Sequence, residues 1–201
     1  LGVDIHVVLG AGPPVRNITE AVQNAHLEVD SVVGSPVAAG LACLSPEERD
    51  LGVALVEFGA EVTNVAVHSM GMITGFRAIP TGSADITDAI ASAFGIRRFQ
   101  AERLKCVNGS AIASPADHRE MIPVTAPGDE DNGIIARHAD DKNRIPRAEL
   151  IAVINGQLGA LMEDIARALK ELRFGDRRGQ QALMTGGGGG VSGAAGFCAG
   201  A

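Results

Sequence analysis

Few residues in this 201-residue chain are placed to do chemistry. Thr185 is followed by five glycines, Gly186 to Gly190, after a short apolar run at Gln181–Met184. Glycines at a strand-to-helix turn let the backbone lie against an adenine or a phosphate, and the N-terminus of a following helix favours an anion. A flexible linker would have the same composition. Glu102 and Lys105 are three apart in a stretch of helical spacing, so they share a face. Taken alone, that spacing describes a solvated ion pair. The acids Asp129, Glu130 and Asp131 with His138, Asp140 and Asp141 invite a metal reading. Their spacing lacks the central Gly and final Glu of an EF-hand loop, and they are read as a solvated loop. His6, His26, His68 and His118 show no partner spacing and receive no role. Cys43, Cys106 and Cys198 are odd in number and far apart, which argues against a disulfide framework and for a reducing compartment. Each is expected to be a small buried hydrophobe.

The elements that must position these residues follow from periodicity. Val53–Phe58, Thr63–His68 and Met72–Ile79 are three apolar runs joined by short turns, the pattern of an antiparallel meander. Helices are expected over Asp85–Phe94, Phe99–Val107 and, longest, Pro146–Leu172. The apolar positions of the last run from Leu150 through Ile154, Leu158, Leu161 and Ile165 to Leu169. Ser45-Pro46-Glu47-Glu48 is a helix start with a hydroxyl cap, an early proline and acids at the positive dipole end. Ser35-Pro36 opens a small-residue helix to Leu44. Further strands are expected at Val3–Leu9, Val29–Val33, near Ile112, at Met121–Val124 and at Gln181–Met184. Asn17 and Glu20 suggest a capping box for a helix to Ala25, and a small-residue helix is expected to follow the glycines as far as Ala201.

Composition narrows the function. The formal charge is −7, from 17 basic and 24 acidic residues, and there is no clustered basic footprint for a duplex. With no Trp and no Tyr, stacking platforms for single-stranded nucleic acid are missing. Hydrophobic residues at 46% can build a core, so whole-chain disorder is excluded. No apolar run is long enough to cross a bilayer, and no signal peptide precedes the first run. The sequence starts at Leu1 and stops at Ala201 in mid-pattern and reads as a fragment of something longer.

Several short runs, taken in order, resemble one family. They are Leu44-Ser45-Pro46-Glu47-Glu48-Arg49-Asp50, Leu51 to Ala60, Ala78-Ile79-Pro80-Thr81-Gly82, Asp85 to Ile90, Ala101-Glu102-Arg103-Leu104-Lys105 and Met184-Thr185-Gly186-Gly187-Gly188. Together they resemble FtsA, the bacterial actin homologues that link the FtsZ ring to the membrane. The resemblance implies an α/β, actin-like fold: a lobe with an antiparallel meander and helices, plus an inserted α+β subdomain. Residues 1–50 would end the first lobe. Residues 51–88 with 179–201 would form the core subdomain of the second lobe, and 89–178 the smaller insert. The family's first phosphate loop and its terminal amphipathic membrane helix are not among these residues.

The same resemblance implies ATP, with Mg²⁺ possible in a full-length parent and weak or absent binding by this fragment alone. Gly59 and Thr63 would belong to the second phosphate turn, Glu102 and Lys105 would face the ribose, and Gly186, Gly187 and Gly188 the adenosine. The family's phosphate turn resembles Asp-Ile-Gly-Gly-Gly-Thr, whereas this chain has Glu57-Phe58-Gly59-Ala60-Glu61-Val62. Glu61 would bring a carboxylate towards phosphates, which is unfavourable. The run is therefore a plain hairpin turn or a nonhydrolytic nucleotide contact, and no catalytic residue is expected. FtsZ, further copies of the chain and other division proteins are the implied partners, at the cytoplasmic face of the inner membrane and the septum. Arg97, Arg98, Arg144 and Arg147 are candidates for meeting an acidic tail. An ATPase or sugar kinase of the same superfamily is the rival reading, and a pilus-assembly actin homologue a weaker one.

Overall fold

The computed structural model of the chain describes residues 2, 5, 7–124, 144–175, 181–190 and 193. The three apolar runs form β1 (Val53–Phe58), β2 (Thr63–Ser69) and β3 (Met72–Ile79). Links this short allow only antiparallel neighbours. In β1 and β2, Glu57 stands opposite Asn64 and Phe58 opposite Thr63. The turn from β2 to β3 is made by Met70 and Gly71, both at positive φ. β6 (Gln181–Thr185) lies parallel to β1 on its other side, with Glu57 beside Thr185. The sheet order is β3-β2-β1-β6.

Successive strand residues point to opposite faces, and both faces of β1 are covered. Val56 and Phe58, with Val65 of β2, face the large core built by α4 (Ser83–Phe94), α5 (Arg98–Asn108) and α6 (Arg147–Glu171). Val53 and Leu55, with Leu183 of β6, face a smaller cluster containing Leu44 and Ala39, under α2 (Ser35–Cys43). The long helix α6 buries Leu150, Ile151, Ile154, Leu158, Leu161, Ile165 and Ala168, the stripe its periodicity requires. A small antiparallel pair, β4 (Met121–Pro123) and β5 (Arg144–Pro146), precedes α6 and adds Ile122 and Ile145 to the same core.

Ser45 caps α3 (Pro46–Leu51) with a reciprocal box. Its hydroxyl accepts from the Glu48 amide at 3.2 Å, and the Glu48 carboxylate accepts from the Ser45 amide at 2.8 Å. Ser45→Ala should lower stability by about 1 kcal/mol, read as a shifted urea midpoint with an unchanged slope.

Several expectations do not survive. The described residues of Val3–Leu9, and all of Val29–Val33, are not strands. A strand exists only by pairing its backbone groups, and these runs pair with no strand among the described residues. Val7, Val32 and Val33 stay exposed. α1 (Gly12–Asn24) begins earlier than the Asn17 box, with proline in its first turn. Proline is preorganised for that position, so Asn17 falls inside the helix, where Thr19 bonds back to the Val15 carbonyl at 2.9 Å. Ile112 is no strand either, because the Ser110 hydroxyl bonds both its amide and its carbonyl at 3.0 Å and fixes a turn. Cys43 and Cys106 are exposed, not buried. Each sits in the last turn of its helix, where part of its surface stays open. The acidic stretch 129–141, Cys198, His6 and the helix expected beyond Gly190 fall outside the described residues, save Gly193.

Candidate functional site

Parallel pairing places the ends of β1 and β6 side by side, and this builds the site. The chain leaves β6 through Gly186 at a φ of 100° and enters a single 3₁₀ turn, Gly187–Gly190. Both Gly186 and Gly188 press on Phe58. A methyl group on Gly186 would strike the Phe58 carbonyl, and one on Gly188 would come within 2.7 Å of its ring. Gly187 meets nothing within 4 Å, so its bare backbone faces open space.

The turn from β1 to β2 closes on itself and on α4. The Gly59 amide donates to the Val62 carbonyl at 3.1 Å. The Gly59 and Ala60 carbonyls accept from the Ser83 and Ala84 amides at 3.0 and 2.7 Å, and the Asp85 carboxylate accepts from the Gly82 amide at 2.7 Å. The first amides of α4 are thus used by the protein. Thr63 is fully buried and its hydroxyl donates to the Thr81 carbonyl at 2.7 Å, which pins the Pro80–Gly82 turn beneath the hairpin.

Glu57 lies on the α2 side of the sheet. Its Oε2 accepts from the Ser35 hydroxyl at the start of α2 and from the Asn64 amide nitrogen at 3.0 Å. Further along α2, the Cys43 sulfur lies 3.7 Å from the Thr185 hydroxyl. One helix therefore touches both strand ends.

Lys105 occupies an unexpected place. It is 5% exposed, and its Nζ donates to the Ser83 carbonyl at 2.9 Å and the Thr87 hydroxyl at 2.8 Å, and pairs with Glu102 at 2.8 Å. An ammonium has three protons, and all three are engaged inside the protein. Glu102 remains half exposed and also receives bonds from the Thr87 hydroxyl and from the Cys106 thiol at 3.4 Å. Partial burial pushes its carboxyl up, but the bonds from Lys105, Thr87 and Cys106, with the Lys105 charge, prevail and hold it below its ordinary value. The neighbouring Cys106 thiol is pushed up by burial, then by its bond to Glu102 and that charge. A carboxyl depressed in the fold stabilises above its unfolded value of 4.5 and loses that contribution as pH falls through and below it. Glu102→Gln should therefore flatten the fall of thermal stability below about pH 4.5 and leave the neutral limb nearly parallel to wild type.

The sequence-selected residues are contiguous. Ser83 joins them, its amide on Gly59 and its carbonyl on Lys105, while Gly186 and Gly188 lie on Phe58. Gly193 follows on, against Ile112 just beyond α5. Ser35, Ser83 and Thr87 carry no signal in the sequence because only the packing of α2 and α4 brings them in, and Asn64 because only the register of β2 on β1 sets it opposite Glu57. Among the described residues no cluster of three or more His, Cys, Asp and Glu could hold a metal. Of the four arginines singled out, Arg98 pairs with Asp88 at 2.7 Å and Arg147 with Asp117 and Glu120 at 3.2 and 3.1 Å.

Known proteins share both sequence and architecture. The family model described as cell division protein FtsA matches residues 54–188. The cell division protein FtsA of Rhizobium meliloti strain 1021 is 32% identical over 187 residues, 93% of this chain. That of Bacillus subtilis strain 168 is 29% identical over 191 residues, again 93% of the chain. The chain spans 41% of the length of each. Among solved structures, MreB5 of Spiroplasma citri bound to AMPPNP superposes with a TM-score of 0.62 at 19% identity, over 92% of this chain and 56% of that one. At that identity the likeness shows the fold, which is the actin-like one. Fold and sequence agree, and the chain belongs to the FtsA family of cell division proteins.

Proposed function

We propose that this chain forms one wall of a purine-nucleotide crevice in a division protein that recruits FtsZ to the membrane and assembles with its own copies. ATP would act there as a structural ligand. The observation that carries this reading is the seating of Gly186 and Gly188 on Phe58. It puts a bare glycine turn beside the hairpin turn after β1.

The residues fit the adenosine end of a nucleotide better than its phosphate end. Gly187 offers open backbone to a base. Glu102, half exposed and ionised, would accept from ribose hydroxyls. Lys105 would not reach them and would instead position Glu102. At the hairpin, the Gly59 amide is already used, and Glu61 adds negative charge where phosphates would lie. Mg²⁺ would offset phosphate charge, held through water at Glu57, whose Oε2 is already taken by Ser35 and Asn64. Such a site favours holding a nucleotide over hydrolysing it. Arg97 and Arg144, exposed and outside the ion pairs of their neighbours, are the better-placed cations for an acidic tail of FtsZ. Membrane attachment is proposed for the whole protein. No helix among the described residues is long and apolar enough to cross a bilayer.

The test is parallel sedimentation and phosphate release with the whole protein. ATP should increase pelleting of the protein, alone and with FtsZ, while phosphate release stays below one turnover during assembly. Sustained multiple turnover would favour the rival ATPase or kinase reading, to which the acid at Glu57 lends its one point of support.

A further inference from the structure

A second site lies on the same sheet face, beyond the smaller core cluster. His68 of β2 points to the α2 side, as Asn64 and Ala66 do, and is 4% exposed. Its ring packs on Gly40 of α2, where an added methyl would come within 2.6 Å of Nε2. Nε2 has no hydrogen-bond partner, and neither has the buried Nε of Arg49 in α3. Both residues line a cavity of about 500 Å³ between α2 and the β2–β3 hairpin, whose apolar walls include Val37, Leu41, Met70 and Ile73. That volume and lining suit a small molecule.

The electrostatics specify its sign. None of the described lining residues is acidic, and Arg49 joins none of the ion pairs among the described residues. Two acids of α3 flank Arg49: Glu48 is committed to the Ser45 cap, and Asp50 is exposed and is not among the residues lining the cavity. Burial, and then the Arg49 charge, push His68 below its ordinary value. The imidazole is then neutral at pH 7, and among the described lining residues the formal charge is the guanidinium alone. A guanidinium matches a carboxylate with two parallel bonds.

We propose that this cavity binds a small amphiphilic carboxylate, its head on the guanidinium of Arg49 and its aliphatic tail along Val37, Leu41, Met70 and Ile73. The site is separate from the nucleotide wall and does not depend on it.

The probe is decanoate below its micelle concentration, titrated calorimetrically into the whole protein beside decanol and decylammonium. Decanoate should bind saturably at one site and at least tenfold more tightly than either control. Arg49→Gln should abolish that preference, and Arg49→Lys, which keeps the charge but loses the fork, should reduce it. Leu41→Trp fills the mouth from a position already 62% exposed, so it should remove binding without unfolding the protein. Absence of saturable decanoate binding to the wild-type protein would overturn the proposal. So would equal binding of decanoate and decanol, or an unchanged preference in Arg49→Gln.

Discussion

Replacing Lys105 by Met should lower the thermal midpoint by about 5–15 °C, from a loss of about 2–4 kcal/mol. Methionine keeps the length of the chain and its packing against α4 but supplies no donors. The Ser83 carbonyl and the Thr87 hydroxyl would lose their shared partner inside the protein. Those groups account for most of the loss. The ion pair with Glu102 adds little, because that carboxylate is half exposed and water can take over. A midpoint within 2 °C of wild type would show that the buried ammonium is not what ties α4 to α5. Glu102→Gln is the matching control. It leaves Lys105 bound to Ser83 and Thr87, so its effect near neutral pH should be several-fold smaller.

Gly186→Ala should destabilise the fold by about 2–5 kcal/mol, seen as a lowered urea midpoint. Two penalties combine. At a φ of 100° alanine is strained, and its methyl would collide with the Phe58 carbonyl, a rigid backbone group at the end of a central strand. Separating the two strand ends would also dismantle the proposed crevice. Gly187→Ala distinguishes folding from binding. Its methyl meets nothing in the protein, so stability should change by less than about 1 kcal/mol. ATP affinity of the whole protein should nevertheless fall if a base lies over that backbone. Equal stability of Gly186→Ala and wild type would break the link between the glycine turn and β1.

Much of this was legible in the residues, and the failures share a cause. The meander showed in three apolar runs with short links, since those links admit only one pairing. The stripe from Leu150 to Ile165 foretold the buried face of α6, because helical periodicity is a local property. The runs at Val3–Leu9 and Val29–Val33 have the same apolar character but no strand to pair with among the described residues. Their sequence records a need for a partner and not its presence. The parallel seat of β6 beside β1 spans more than a hundred residues, and periodicity carries no information at that range. It came from resemblance.

At the site the same division holds. Glu102 and Lys105 were visible as a pair on one helical face, and they do pair. That Lys105 turns inward could not be read, because Ser83 and Thr87 come from α4. His68 was one histidine among several with no partner spacing. Its neighbours Gly40 and Arg49 come from separate helices, so only packing defines that cavity.

Hydrogen–deuterium exchange of the whole protein, with and without saturating ATP, tests the nucleotide wall most directly. Slower exchange should be concentrated in residues 57–63, 98–106 and 185–190, with the middle of α6 unchanged. Saturation by ATP with unaltered exchange at 185–190 would contradict it.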